Sequence, residues 1–159
     1  MKLTYGDGWF EYDKVLTEVW TEDRARKAHE GRNLYCVVVG KLEDPYCYLT
    51  INDDYIGVSF LDSLLRVYLR HQFSEVEKGV MFLEAVLYWE FRGEEDEVVR
   101  ADFYDFSTGG ELRIEKQDLE KDETRVAEDE GLDVSCNYED YPEFGGYDAF
   151  VQHNRPMPK

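Results

Sequence analysis

Over 159 residues the chain sets 36 acids against 18 bases, a formal net charge of −18 that argues against binding phosphate backbones or anionic membranes through clustered Lys and Arg. Its 43% hydrophobic and 15% aromatic content excludes a disordered acidic chain and supports one domain with a real core. No run approaches the roughly 18 apolar residues of a spanning helix. The opening MKLTYGDGWFEYDK lacks the apolar stretch of a signal peptide, so a cytoplasmic protein is expected.

In chain order, a short strand precedes Gly6-Asp7-Gly8, a turn signal. Val15, Leu16, Val19 and Trp20 recur at helical spacing, which predicts a helix over 13–30 capped by Asp13 and stopped at Gly31. Strands follow at 34–39, 46–51 and 55–60, the last two joined around Asn52-Asp53-Asp54 as a hairpin. Residues 61–73 fit two patterns: Leu61, Leu64, Leu65, Tyr68 and Leu69 make a helical face, while Leu65, Val67, Leu69, His71 and Phe73 alternate. Length and the Asp62-Ser63 cap favour helix.

Residues 80–92 alternate as a long strand, with Met81, Leu83, Ala85, Leu87, Trp89 and Phe91 on one buried face. Strands at 98–106 and 111–117 complete an antiparallel meander. Residues 118–133 are almost free of apolar side chains and read as a loop or exposed helix. The expected fold is α+β: a twisted antiparallel sheet of five to seven strands with one or two helices on one face. A single domain over 1–151 ends in a loose tail at 152–159.

No sequence motif names a reaction. His29, His71 and His153 stand apart from one another, and Gly6-Asp7-Gly8 is no dinucleotide fingerprint. Cys36, Cys47 and Cys136, an odd number, read as reduced thiols, and no cofactor or metal is expected. Asp53-Asp54 and Glu94-Glu95-Asp96-Glu97 lack the ligand order of a calcium loop and read as hairpin tips. Glu84 and Glu90, two acids on one face of the long strand, are the candidates for a carboxylate-dependent hydrolase.

The charge is concentrated. Residues 1–89 hold 15 acids and 10 bases, whereas residues 90–148 hold 21 acids and 6 bases, a net of −15. Self-repulsion of that size costs stability, so a compensating role is expected, either solubility or a basic partner. Residues 136–150 interleave Tyr138, Tyr141, Phe144, Tyr147 and Phe150 with Glu139, Asp140, Glu143 and Asp148. Aromatic anchors ringed by charge are how binding hot spots are built; the same pattern also suits a last strand with its acids facing water. The candidate partner surface comprises Glu94, Glu95, Asp96 and Glu97; Asp122, Glu123, Glu128, Asp129 and Glu130; and Tyr138, Glu139, Asp140, Tyr141, Glu143, Tyr147 and Asp148.

In size, acidity and the segments EEDEVVRADFYDF and NYEDYPEFGGYDAF, the chain resembles, as a class, the immunity proteins of bacterial polymorphic toxin and contact-dependent growth inhibition systems. The resemblance implies tight stoichiometric binding to a toxin domain, often a basic nuclease, by a protein that is itself no enzyme. It transfers no residue individually. A monomer or weak dimer is expected, without direct contact to nucleic acid or membrane. A DNA-mimic or acidic regulatory adaptor, and a small hydrolase using Glu84 and Glu90, are the alternatives from other classes.

Overall fold

The structure, a computed structural model, describes residues 1–159. Its strands are β1 (Leu3–Gly6), β2 (Trp9–Phe10), β3 (Val15–Leu16), β4 (Val19–Trp20), β5 (Tyr35–Lys41), β6 (Asp44–Ile51), β7 (Tyr55–Leu61), β8 (Val67–Glu77), β9 (Val80–Phe91), β10 (Val98–Phe106), β11 (Leu112–Asp118), β12 (Glu123–Asp129) and β13 (Tyr138–Asp140). One helix, α1 (Glu22–Glu30), lies between β4 and β5. The main sheet has eleven strands rather than five to seven, in the order β12-β11-β10-β9-β8-β7-β6-β5-β1-β4, with β13 joining β9. Every pairing is antiparallel, and β2 and β3 form a separate ribbon.

Two rows of side chains describe the sheet. On the inner face, paired residues run Tyr5, Val37, Leu49, Val58, His71, Val86, Tyr104, Ile114 and Ala127, from β1 to β12. The row is buried from Tyr5 through Val86, half-buried at Tyr104 and Ile114, and exposed at Ala127. The burial comes from α1, through Ala25, and from residues 134–155, through Val134, Tyr147 and Phe150. Phe150 meets Phe73 edge-on at 4.9 Å, Phe144 stacks on Tyr5 at 5.0 Å, and the Tyr147 and Tyr35 hydroxyls bond at 3.0 Å. This cover thins at β10, where Phe106 is still buried with the inner core and Tyr104 is only half-buried.

On the outer face the neighbouring row runs Thr4, Val38, Tyr48, Ser59, Arg70, Leu87, Phe103, Glu115 and Val126. Here the β2–β3 ribbon covers only the first part. Trp9 stacks on Tyr48 at 5.5 Å, and the Tyr48 hydroxyl donates to the Glu11 carboxylate at 2.6 Å. Arg70 binds the same carboxylate and donates to Ser59 Oγ at 2.8 Å. Cys36 lies with this outer cluster and Cys47 in the inner core; both thiols are free, and burial pushes each up to about 12.

One edge of β9 serves two partners. Val80 to Phe82 pair with β13, and from Ala85 onward the same edge pairs with β10. On the other edge the register with β8 shifts between Gln72 and Phe73, which leaves Glu84 as a bulge residue. The Leu83 carbonyl at this changeover is met by the buried Asn137 side chain, whose Nδ2 donates to it at 2.9 Å. A bulge adds one residue and so reverses which side chains face the core. The single buried face expected for Met81 through Phe91 is therefore divided. Met81 and Leu83 join Val86 in the inner core, while Leu87, Trp89 and Phe91 turn to the outer face and are only half-buried.

Other expectations fail for equally local reasons. Residues 13–20 are not helical: Lys14 takes φ 57°, β3 folds back on β2, and β4 pairs with β1. A Cβ at Gly6 would lie 2.2 Å from the Glu18 carbonyl oxygen, so this fold-back needs glycine. The helix begins at Thr21, whose hydroxyl accepts from the Arg24 amide, and Gly31 closes it as the sequence indicates. Residues 67–73 are strand. Asp62 caps the amides of Leu64 and Arg66, but Leu65 at φ 59° makes the segment a hairpin turn. Residues 123–129 are also strand, held by their full ladder with β11. The tail is fastened: the buried Arg155 donates to the Ala149 carbonyl at 2.6 Å and the Cys136 carbonyl at 3.2 Å, and pairs with Glu139 at 2.8 Å.

Two measurements check this arrangement. Leu83→Ala should cost about 2–5 kcal/mol in urea unfolding, as a cavity in a closed core, and Leu87→Ala about half that or less. His71 is the one polar member of the buried inner row; its Nδ1 bonds no protein group, and burial, with the charges of Arg155 and His153, lowers its pKa to about 4. The folded state therefore refuses a proton that the unfolded chain accepts below about pH 6.5. Stability contributed by neutral His71 is complete above that pH and is lost as pH falls toward 4, by about 3 kcal/mol in all. His71→Leu should remove that part of the slope in denaturation curves taken at pH 7, 6, 5 and 4.

Candidate functional site

Where the inner cover stops, β10, β11 and β12 continue as a three-stranded wing with little over either face. Inner-face Tyr104, Leu112 and Ile114 and outer-face Leu87, Trp89 and Phe103 are half-buried, and all of β12 is exposed. Three strands normally need a covered apolar face to be stable. Here the cover is confined to the wing's base, where Val99, Ala101 and Phe106 are buried.

Both faces of that base are grooved. An inner groove of about 630 Å³ is lined by Tyr88, Glu90, Arg100, Tyr104 and Leu112, with Met157 and Pro158 as one wall. An outer groove of about 490 Å³ lies among Tyr12, Arg66, Arg70, Trp89, Phe91 and Asp96. Tyr88 and Tyr104 meet edge-on at 6.0 Å on the first, and Trp89 and Phe103 at 6.2 Å on the second.

Several cations on and beside the wing are engaged, whereas Lys116, Lys121 and Arg125 form no ion pair. Arg92 bridges Glu97 at 3.0 Å and Glu120 at 2.8 Å, which locks the β9–β10 turn to the β11–β12 turn. Arg100 pairs with Glu90 at 3.2 Å, and Arg113 with Glu115 at 3.3 Å. Lys14 reaches Asp96 at 2.9 Å, and Arg66 donates to the carbonyls of Gly93 at 2.8 Å and Glu95 at 2.7 Å. Glu94, Glu95, Asp122, Glu123, Glu128, Asp129 and Glu130 are exposed and take part in no ion pair. Exposed pairs contribute little to stability, so the bridges mainly position the two turns and leave the surplus negative.

The residues singled out in the sequence divide into two groups. Glu94 to Glu97 and Asp122 to Glu130 rim the wing. Residues 138–148 belong to the cover over the inner core. Tyr147 is fully buried and so presents no anchor to a partner, contrary to expectation. Tyr141 is half-buried; its hydroxyl donates to the Asn52 carbonyl at 3.0 Å, and Arg32 sits 3.5 Å above its ring. Glu139 is consumed by Arg155. Tyr138 packs edge-on against Phe82 at 4.9 Å, and Asp140, Glu143 and Asp148 face solvent.

Glu84 and Glu90 do not converge. The bulge leaves Glu84 unpaired, between Leu83 opposite Phe73 and Ala85 opposite Gln72, whereas Glu90 pairs with Arg100 beside the inner groove. Sequence reasoning missed the wing's apolar residues Trp89, Phe103, Tyr104, Leu112 and Ile114 as surface. The available signal was residues 118–133, too polar to cover anything, lying beyond three strands that alternate.

No known protein family, curated protein or solved structure matches the chain. No helix is long and apolar enough to cross a membrane.

Local stability follows the cover. The amides of Glu123–Asp129 should exchange with deuterium by local fraying, orders of magnitude faster than those of Val37, Leu49 and Val58. Native-state exchange followed by mass spectrometry or NMR reads this directly.

Proposed function

We propose that the chain is an immunity protein that neutralises a basic bacterial toxin domain, a nuclease, by stoichiometric binding through the wing. One observation carries the reading: seven exposed, unpaired acids rim a three-stranded wing whose apolar side chains lack a full cover on either face. Solubility accounts for the acids alone. It does not account for Trp89, Phe103, Tyr104 and Ile114 left half-exposed beside them.

A nuclease cleft is built to receive phosphates, and its positive field draws in a carboxylate rim. Such steering raises association rates toward about 10⁸–10⁹ M⁻¹s⁻¹ at low salt. Charge gives speed and selection; slow dissociation comes from desolvating anchors. Trp89 and Phe103 on one face, and Tyr88 and Tyr104 on the other, are the anchors available.

The test begins with the open reading frame beside this gene: co-expression with this chain should rescue growth from its product. Stopped-flow association then separates the two roles. Changing Glu94, Glu95 and Glu128 to Gln and Asp129 to Asn together should slow association about tenfold and flatten its salt dependence. Phe103→Ala should leave association nearly unchanged and speed dissociation by about 30-fold, the equivalent of a 2 kcal/mol hot spot. Salt-independent binding that none of these changes alters would reduce the acids to a solubility device and remove the proposal's support.

A further inference from the structure

We infer that β12 is a docking edge that accepts an extended, basic segment of the partner as a twelfth strand of the main sheet. The inference rests on the proposed wing-binding function and specifies its geometry. β12 is the last strand on its side, pairs only with β11 over seven residues, and is exposed along its whole length. Its outward amides and carbonyls take part in none of the backbone hydrogen bonds made by turns, loops and caps. Such an edge is normally blunted by brevity, a proline, a bulge, a covering loop or charged side chains, and of these β12 has only the charges, which repel a like edge and attract a basic one. β12 is not short for an edge, contains no proline, and its ladder with β11 runs without a register shift.

The side chains say what fits. Glu123 and Asp129 lie on the inner face at the two ends of the strand, and Glu128 on the outer face, with Asp122 and Glu130 just beyond. Val126 at the centre offers an apolar contact on the outer face and is half-exposed. Arg125, on the inner face between Glu123 and Ala127, asks for an acid, so an added strand with Lys or Arg at both ends, β-branched residues at its centre and one Glu opposite Arg125 meets an opposite charge or an apolar neighbour at each of these places. A second copy of this chain fits badly. Self-pairing centred on Val126 sets Glu123 against Asp129 at both ends, and each copy brings a net charge of −18.

The test uses the full chain and a defined probe, the blocked heptapeptide Lys-Arg-Val-Val-Glu-Thr-Lys, written to lie antiparallel to Glu123–Asp129. At millimolar peptide, alternate amides of β12 should become protected from exchange while those of β6 and β7 do not change. Val126→Pro and Ala127→Pro provide the backbone control. Of two adjacent amides in a strand, one faces β11 and one faces out. The proline that removes the outward amide should preserve the hairpin's circular dichroism and weaken the peptide about tenfold or more. Glu123→Lys with Glu128→Lys, which leaves the backbone intact, should weaken it comparably.

Absence of β12 protection at millimolar peptide overturns the inference. So does binding that survives whichever proline variant remains folded. If charge reversal abolishes peptide binding but β12 amides were never protected, strand addition is wrong while the acidic rim still binds a basic partner. Lost salt-dependent association with the toxin domain, by contrast, sinks the proposed function itself.

Discussion

The structure depends on how the Leu83 carbonyl is satisfied. β9 is the longest strand, and one of its edges is divided between β13 and β10. At the changeover a buried carbonyl would stand unpaired, at a cost of about 1–3 kcal/mol. The Asn137 amide fills that place. In doing so it pins the start of the segment that covers the inner face. The same few residues hold the bulge that turns Leu87, Trp89 and Phe91 outward. A local repair of the ladder thus fixes the cover and the orientation of the wing's apolar side chains together.

The division of labour along the sheet follows. From β1 to β9 the inner row is closed by aromatic side chains whose polar tips bond to one another, as in the chain from His29 to Tyr35 to Tyr147 at 2.8 and 3.0 Å. Beyond β9 the cover reaches only the base of the wing, at Phe106, and acidic side chains become dense. Carboxylates belong there for a physical reason: they remain hydrated on a bare wing, whereas the same groups over the core would have to be paired, as Glu139 is with Arg155.

Much of this was legible in the sequence. The hairpin around Asn52–Asp54 was readable from two short apolar runs flanking a polar turn, and the meander from Val80 to Gln117 from alternation that ended in polar turns. The helix stop at Gly31 was readable too, whereas its start was displaced because Val15, Leu16, Val19 and Trp20 have helical spacing yet pair as β residues with distant strands. Residues 67–73 carried both periods, and two flanking strands settled the choice. The face reversal at Glu84 left no mark, since a bulge is one residue inserted in an unbroken pattern. For the candidate site, the acids were visible as composition. Their separation from Tyr147 was not, because alternation of aromatics with acids describes a buried cover as well as a binding surface.

The cover's position after the meander has a consequence in time. Strands β6 to β12 each pair with the strand made just before, so the meander can assemble by short-range steps as it is synthesised. The inner row, however, has only α1 over it until residues 134–155 arrive, and the β9 edge at Val80–Phe82 waits for β13. A newly made chain therefore passes through a stage with an open apolar sheet face and an unpaired edge, the condition in which β proteins stick to one another. The heavy negative charge of residues 90–130 is made before that stage ends. Mutual repulsion between unfinished copies protects them until Tyr147, Phe150 and Arg155 close the molecule.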